Sequence, residues 1–308
     1  MKTFRQEVSC STKDVLAWME ELKEMKIKSG RLGTARSYLR TMKSLSCYLG
    51  GKDIPLDEVD DKLMTSYELW LRQRQVTRNS SSFYMRVLRS IYNKGIDEGY
   101  TSQAFPFRNV YTGVDRTDKR AVGEDVLIRL KHLDLTESPH LALSRDIFMF
   151  SYAMRGMAFV DIAFLRKSDV HGNEIVYFRK KTGQKMRVKA EPFIKEIICR
   201  YINNNDPYIF PFIKSEDEEE AYKQYESALN YHNRKLKQLG RKLGNGISLS
   251  SYTARHSWAT SAHRHGVPLS VISAGMGHDS ERTTLIYLDS IENDVVDKAN
   301  KELLELLG

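Results

Sequence analysis

Gly277-His278-Asp279-Ser280-Glu281-Arg282-Thr283-Thr284-Leu285-Ile286-Tyr287-Leu288 decides how this chain is read. It ends in a tyrosine set nine residues after a histidine. Upstream lies a second block, Ser251-Tyr252-Thr253-Ala254-Arg255-His256-Ser257-Trp258-Ala259-Thr260. Further back, an isolated arginine stands in Tyr152-Ala153-Met154-Arg155-Gly156-Met157. A tyrosine hydroxyl, two arginines and a histidine are the groups that metal-free attack on a phosphodiester would use.

Such attack has three requirements. A nucleophile must reach phosphorus, and a phenol with a reference pKa of about 10 can serve if nearby cations favour the phenolate. Donors must meet the charge on the non-bridging oxygens, and arginine's planar fork does this at any working pH. An acid must protonate the leaving 5′ oxygen, a task for lysine or histidine.

The composition is compatible with this chemistry. The 308 residues are enough for two domains, and 41% hydrophobic residues can bury real cores. No run of about 18 apolar residues is present, so no membrane span is expected. The N-terminus, Met1-Lys2-Thr3-Phe4-Arg5-Gln6-Glu7, is charged and has no apolar signal region, which predicts a cytoplasmic protein. Cys10, Cys47 and Cys199 are far apart, form no metal or redox pair, and suit a reducing compartment. The net charge is +8. Residues 1–119 carry 21 Lys/Arg against 15 Asp/Glu, and residues 120–308 carry 27 against 25. A basic front half favours a polyanion such as nucleic acid, although an ordinary basic soluble protein has the same balance.

Periodicity predicts four helices in that front half: 12–28, 34–49, 60–74 and 80–97. In the first, Val15, Leu16, Met19, Leu22 and Met25 share a face, Thr12 is the expected N-cap, and Gly30 and Gly33 end the helix. The second turns Ala35, Tyr38, Leu39, Met42, Leu45 and Leu49 one way and Arg36, Arg40 and Lys43 another. The fourth packs Tyr84, Leu88, Ile91 and Tyr92 while Arg86, Arg89 and Lys94 point elsewhere. These six cations are the candidate DNA contacts; a solvated helix face would look the same.

Residues 101–120 lose all period, and the interdomain linker is placed at 111–119. Beyond it, helices are predicted at 124–132 and 141–154, with Arg155 directly at the end of the second. Glu174–Arg179 and Lys185–Lys189 alternate with period two around Lys180-Lys181-Thr182-Gly183-Gln184, a β-hairpin signal. Acidic Glu216–Glu220 is placed in a loop or at a helix start. Further helices are predicted at 221–239, 251–265, 268–274 and 281–288, and an apolar stripe at Ile291, Val295, Ala299, Leu303 and Leu306 marks a tail helix.

In this order the blocks resemble the tyrosine recombinases, or phage integrase family, over nearly the whole chain. The resemblance implies a mainly α fold with a small β-hairpin or sheet. It also implies a helical, SAM-like core-type DNA-binding domain at 1–110 and an α+β catalytic domain at 120–308, with an exchange helix at about 291–307. It implies the roles as well: Arg155 and Arg255 as the two catalytic arginines, Tyr287 as nucleophile, and His278 as a donor to a non-bridging oxygen. Lys181 matches the hairpin lysine acting as general acid, with Arg179, Lys180 and Lys185 as neighbours able to take that place. Asp161 falls at the acidic position after the first arginine. His256, adjacent to Arg255 and pointing off differently on a helix, is expected to be structural.

Two departures stand out. Tyr252 occupies the position where the family usually has histidine, replacing a proton carrier by a hydrogen-bond donor. Gly156–Val160 makes the interval from Arg155 to Asp161 longer than usual. Together they resemble the DNA invertase and mobile-element integrase branch of anaerobic gut bacteria, and no separate arm-binding domain is expected. The implied activity is site-specific DNA strand cleavage and rejoining through a 3′-phosphotyrosyl bond, with no cofactor and no metal. The implied partners are duplex DNA with inverted-repeat sites clamped by the two domains, a homotetramer linked through the C-terminal helix, and accessory DNA-binding proteins. The implied place is the cytoplasm, on the nucleoid. A type IB topoisomerase and a non-catalytic DNA-binding regulator of the same fold are the alternatives.

Overall fold

The computed structural model describes residues 12–115, 121–203, 206–285, 287–288 and 304–305. The chain forms two compact units, Met1–Thr117 and Asp118–Gly308.

The first unit is built from α1 (Val15–Lys28), α2 (Leu32–Tyr48), α3 (Asp61–Gln73) and α4 (Arg78–Asp97). Val15, Met19 and Leu22 of α1 are buried as their spacing predicts, but Met25 is 59% exposed. Trp18, absent from the predicted stripe, is buried instead and donates its indole N–H to the Ile91 carbonyl at 3.3 Å. Thr12 does not cap α1. Asp53 does so from a distance in sequence, accepting from the Leu16 and Ala17 amides at 2.8 and 3.0 Å. Local pattern cannot reveal a cap supplied by another segment. Gly30 has the positive φ of a helix-ending turn, whereas Gly33 lies inside α2. Asp60 and Thr77 cap α3 and α4 through the Leu63 and Ser80 amides.

The aperiodic stretch after α4 is held by this unit. The Tyr92 hydroxyl donates to the Ser102 carbonyl and accepts from the Ala104 amide, and Phe107 and Val110 are buried in the helical core. Residues 111–115, expected to begin the linker, are tied in as well. The Tyr111 amide donates to Glu68, the Asp115 amide to Asn79, and the Ser82 hydroxyl donates to the Gly113 carbonyl.

The second unit contains α5 (Glu124–Lys131), α6 (Pro139–Ala153), α7 (Phe159–Ala163) and a three-stranded antiparallel sheet in the order β1 (Val170–His171), β2 (Glu174–Phe178), β3 (Lys185–Lys189). It continues with α8 (Pro192–Tyr201), α9 (Glu218–Leu243), α10 (Thr253–Arg264), α11 (Leu269–Met276) and α12 (Glu281–Leu285). The hairpin is in the predicted place. Ile175 pairs with Val188 and Tyr177 with Met186, and these four side chains form its buried face. α6 sits at the centre against α5, α8, α9 and α10, with Ile147, Phe148 and Phe150 buried on it. Each such side chain contributes roughly 1.5–3 kcal/mol by leaving water. The acidic run opens α9, where Asp217 caps the Glu220 amide and three glutamates meet the positive end of the helix dipole. α12 ends three residues earlier than predicted, leaving Tyr287 and Leu288 beyond the helix. The expected tail helix at 291–307 lies outside the described residues except for 304–305. Among the described residues no helix is long and apolar enough to cross a membrane.

Candidate active site

Arg155 and His278 are delivered by the same device, a tight turn at a helix end. At the end of α6 the Arg155 amide bonds the Tyr152 carbonyl at 3.1 Å and the Gly156 amide bonds Ser151 at 2.8 Å. At the end of α11 the Gly277 amide bonds Ala274 at 3.0 Å and the His278 amide bonds Ser273 at 2.9 Å. Both are Schellman turns, whose first residue past the cap adopts the left-handed conformation and is usually glycine. Gly277 follows that rule at φ +66. Arg155 breaks it at φ +59, a conformation that costs a side chain of order 1–3 kcal/mol. No hydrogen-bond or ion-pair partner of the Arg155 guanidinium is found among the described residues.

Arg255 lies in the first turn of α10 and is 5% exposed. Its Nη1 donates to the Gly156 carbonyl at 2.6 Å, and its Nη2 to the Met276 carbonyl and to His278 Nε2, both at 2.8 Å. The guanidinium thus ties both helix-end turns together. Three of its five N–H groups are used by these bonds, and the Tyr287 hydroxyl is a further hydrogen-bond partner. Backbone contact is equally close: a Cβ on Gly156 would stand 2.8 Å from the Arg255 Cα. Burial lowers the Arg255 pKa from its ordinary value.

His278 accepts at Nε2, so its proton sits on Nδ1, 2.8 Å from the hydroxyl of fully buried Thr284. Burial first, then the charges of Arg255, Arg179 and Lys181, push its pKa down to about 4. It is neutral in this state.

Tyr287 packs into this cluster. Its ring stacks on His278 with centroids 5.1 Å apart, and the Arg255 Cζ lies 5.3 Å from its centroid. The buried Leu288 anchors the segment beside Ala259, Ile272 and Met276. Tyr252, directly before α10, is 53% exposed. Burial and the neighbouring phenol raise its pKa, while Arg255 opposes them. His256 does not point away, as its place beside Arg255 had suggested. Its ring lies 4.8 Å from that of Tyr287, and Nδ1 is 3.3 Å from the Tyr287 carbonyl oxygen. The chain bends back after α12 and brings Tyr287 over that face of α10, which spacing along one helix cannot show.

The hairpin supplies the remaining cations, and the geometry separates them. Arg179 donates to the Gly277 carbonyl. Lys180 lies with Nζ 4.4 Å from the Phe164 ring centroid, and its amide donates to buried Asp161 at 2.8 Å. Burial raises the Asp161 pKa, opposed by that amide and by Arg179, Arg255 and Lys180. Lys181 is left exposed in the turn, close enough to act on His278 through its charge. Asp161 therefore holds the hairpin that carries Lys181, and α7 exists to present it.

Arg155, Arg255, His278, Tyr287, Tyr252 and the Lys181 turn are thus brought together. The six candidate DNA cations belong to the first unit. Arg40, Lys43, Arg86 and Arg89 are exposed, and Arg36 and Lys94 are half-buried.

Residues 14–110 match the phage integrase SAM-like domain, and residues 124–293 match the phage integrase family. The chain belongs to the phage integrase family. It is accordingly a tyrosine-type site-specific DNA recombinase. Among solved structures, a lambda integrase dimer bound to a COC′ core site is 15% identical with a TM-score of 0.66, covering 91% of this chain and 99% of that one. The Tn1549 transposon integrase in complex with a circular intermediate DNA is 14% identical with a TM-score of 0.64, covering 94% and 99%. A lambda integrase tetramer bound to a Holliday junction is 15% identical with a TM-score of 0.64, covering 91% and 81%. At these identities the likeness is one of fold. No curated protein matches.

Proposed function

We propose that Tyr287 attacks the scissile phosphate and forms the 3′-phosphotyrosyl bond of this integrase-family site. The observation that carries this is the packing of the Tyr287 ring against Arg255 and His278, with Arg255 also bonded to the turn that bears Arg155. Arg155 and the remaining N–H of Arg255 take the non-bridging oxygens. His278 joins them by moving its proton to Nε2, and the Thr284 hydroxyl, able to give or accept, serves either tautomer. Arg255 and a hydrogen bond from Tyr252 favour the Tyr287 phenolate, whose proton passes to water. As the phosphorus–oxygen bond to the 5′ side breaks, Lys181 protonates the leaving oxygen. The freed 5′-hydroxyl of a partner strand reverses the step, so bond energy is retained and no nucleotide is consumed.

The substrate in this reading is duplex DNA with inverted repeats, gripped partly by Arg36, Arg40, Lys43, Arg86, Arg89 and Lys94 of the first unit. Four protomers on two sites exchange strands, in keeping with the tetramer on a Holliday junction that a lambda integrase of the same fold forms. The reading includes accessory DNA-binding proteins as partners and the nucleoid as the working place.

Covalent trapping tests this. A nicked duplex carrying the repeats that flank the gene is incubated with the protein without divalent metal and run on a denaturing gel. A shifted band absent from Tyr287→Phe is expected. Lys181→Ala should form it at least a hundredfold more slowly, and a 5′-bridging sulfur, which leaves without a proton, should restore it. Binding without an adduct in the wild type would replace the enzyme by a regulator.

A further inference from the structure

We infer that His256 is a positioning residue that holds Tyr287 docked in the site of its own chain before DNA arrives. This rests on Tyr287 as nucleophile, and it assigns work to a side chain that neither touches the phosphate groups nor belongs to the catalytic set.

Tyr287 stands beyond the last turn of α12, so helix hydrogen bonding alone does not fix it. Its amide is tied to the Thr284 carbonyl at 2.8 Å. Its carbonyl faces His256 Nδ1 at 3.3 Å, and a carbonyl can only accept, so His256 carries its proton there. The imidazole also lies 4.8 Å from the phenol ring, tilted at 36°, while His278 stacks on it at 5.1 Å and 29°. The nucleophile is thus in contact with two imidazoles, one belonging to the proposed phosphate site and one bonded to its own backbone. Tyr252 completes the row, its ring 6.3 Å from that of His256. Tyr252 is the N-cap residue of α10, and Arg255 and His256 lie near its start, so one helix end sets the phenol's backbone, its ring plane and its charge environment. Fixing a reacting group in this way prepays the entropy of bringing it to phosphorus.

The variants separate hydrogen bond from stack. His256→Phe keeps a ring and removes the donor. His256→Asn keeps a donor close to the position of Nδ1 and removes the ring. His256→Leu removes both. The first readout needs no DNA: amide hydrogen exchange over residues 281–288, with the melting temperature measured alongside. His256→Leu should speed exchange in this segment at least tenfold, while melting and exchange in α6 and α9 stay near wild type. The second is the single-turnover rate of adduct formation on the nicked duplex, beside the Kd for the same DNA. His256→Phe should lose about tenfold in rate, the size of one hydrogen bond. His256→Leu should lose about a hundredfold. His256→Asn should recover to within about threefold of His256→Phe or better, with Kd unchanged throughout. Unchanged exchange at 281–288 in His256→Leu overturns the inference whatever the DNA shows. A rate loss matched by an equal rise in Kd also overturns it. If the wild type forms no adduct, the reading of Tyr287 as nucleophile fails, while the exchange measurement still judges the docking.

Discussion

Arg155 occupies a backbone seat that glycine would fill at less cost. Its left-handed φ of +59 sits at the turn position where helices usually end in glycine, and the next carbonyl, that of Gly156, is bonded by Arg255. Local strain retained at a functional position is the expected sign of a side chain kept for its chemistry. Arg155→Gly should therefore fold normally, with stability within about 1 kcal/mol of wild type, the relieved strain offsetting the looser unfolded chain. Adduct formation should nonetheless fall more than a hundredfold, and urea unfolding measured beside the gel assay checks both halves. The sequence made Arg255, His278 and Tyr287 readable because they fall in two short blocks of fixed spacing. It placed Arg155 at a helix end but could not reveal the left-handed seat, since that turn position is usually filled by glycine. His256 was misread for a simpler reason: neighbours on a helix diverge by about 100°, and only a chain folding back could bring Tyr287 to that side.

Among elements, most helices were legible, the short α5 and α11 included, while α7 and α8 were not. The apolar periods of α2, α3, α4, α6 and α9 predicted them to within a few residues, and the β2–β3 hairpin declared itself by alternation. α7 is five residues long, too short for any period, although it carries the Asp161 that fixes the hairpin. α8 was missed despite Pro192 in its first turn and a buried Ile194, Ile197 and Ile198 at helical spacing. Those were sufficient signals. At this scale α4 carries the clearest prediction about DNA. Arg86 and Arg89 are exposed on it, three residues apart and so on one face. If both meet phosphates, Arg86→Ala with Arg89→Ala should lower the slope of log affinity against log salt by nearly 2. The loss should be alike for specific and unrelated duplexes, as measured by fluorescence anisotropy over a salt series.

For the catalytic unit as a whole, two histidines set an acid limit. His232 in α9 is buried against Phe159, rings stacked at 4.7 Å, and burial pushes its pKa down to about 3. His278 is lowered to about 4. Both start from an ordinary value of 6.5, so the unfolded chain binds more protons than the folded one below that pH. Stability therefore rises with pH across this window and is lost as pH falls from about 6.5 toward 4. The slope is up to about 1.4 kcal/mol per unit for His232 and less for the half-buried His278. Urea unfolding at pH 6.5 and 5 should show a loss of about 1–3 kcal/mol, and His232→Phe, which keeps a ring on Phe159, should remove most of it.

The contact between Gly156 and the Arg255 backbone has a consequence for how this enzyme tolerates change. Gly156 has φ +74, and an added methyl would stand 2.8 Å from the Arg255 Cα, so neither rotation nor a rotamer shift makes room. In a saturation scan selected on recombination, this position should be as intolerant as Tyr287, although it offers no side chain to DNA. A motif written only in reactive side chains would leave it blank. The active site would then be vulnerable at a place where nothing chemical happens, and compensation would have to come from α10 shifting as a body.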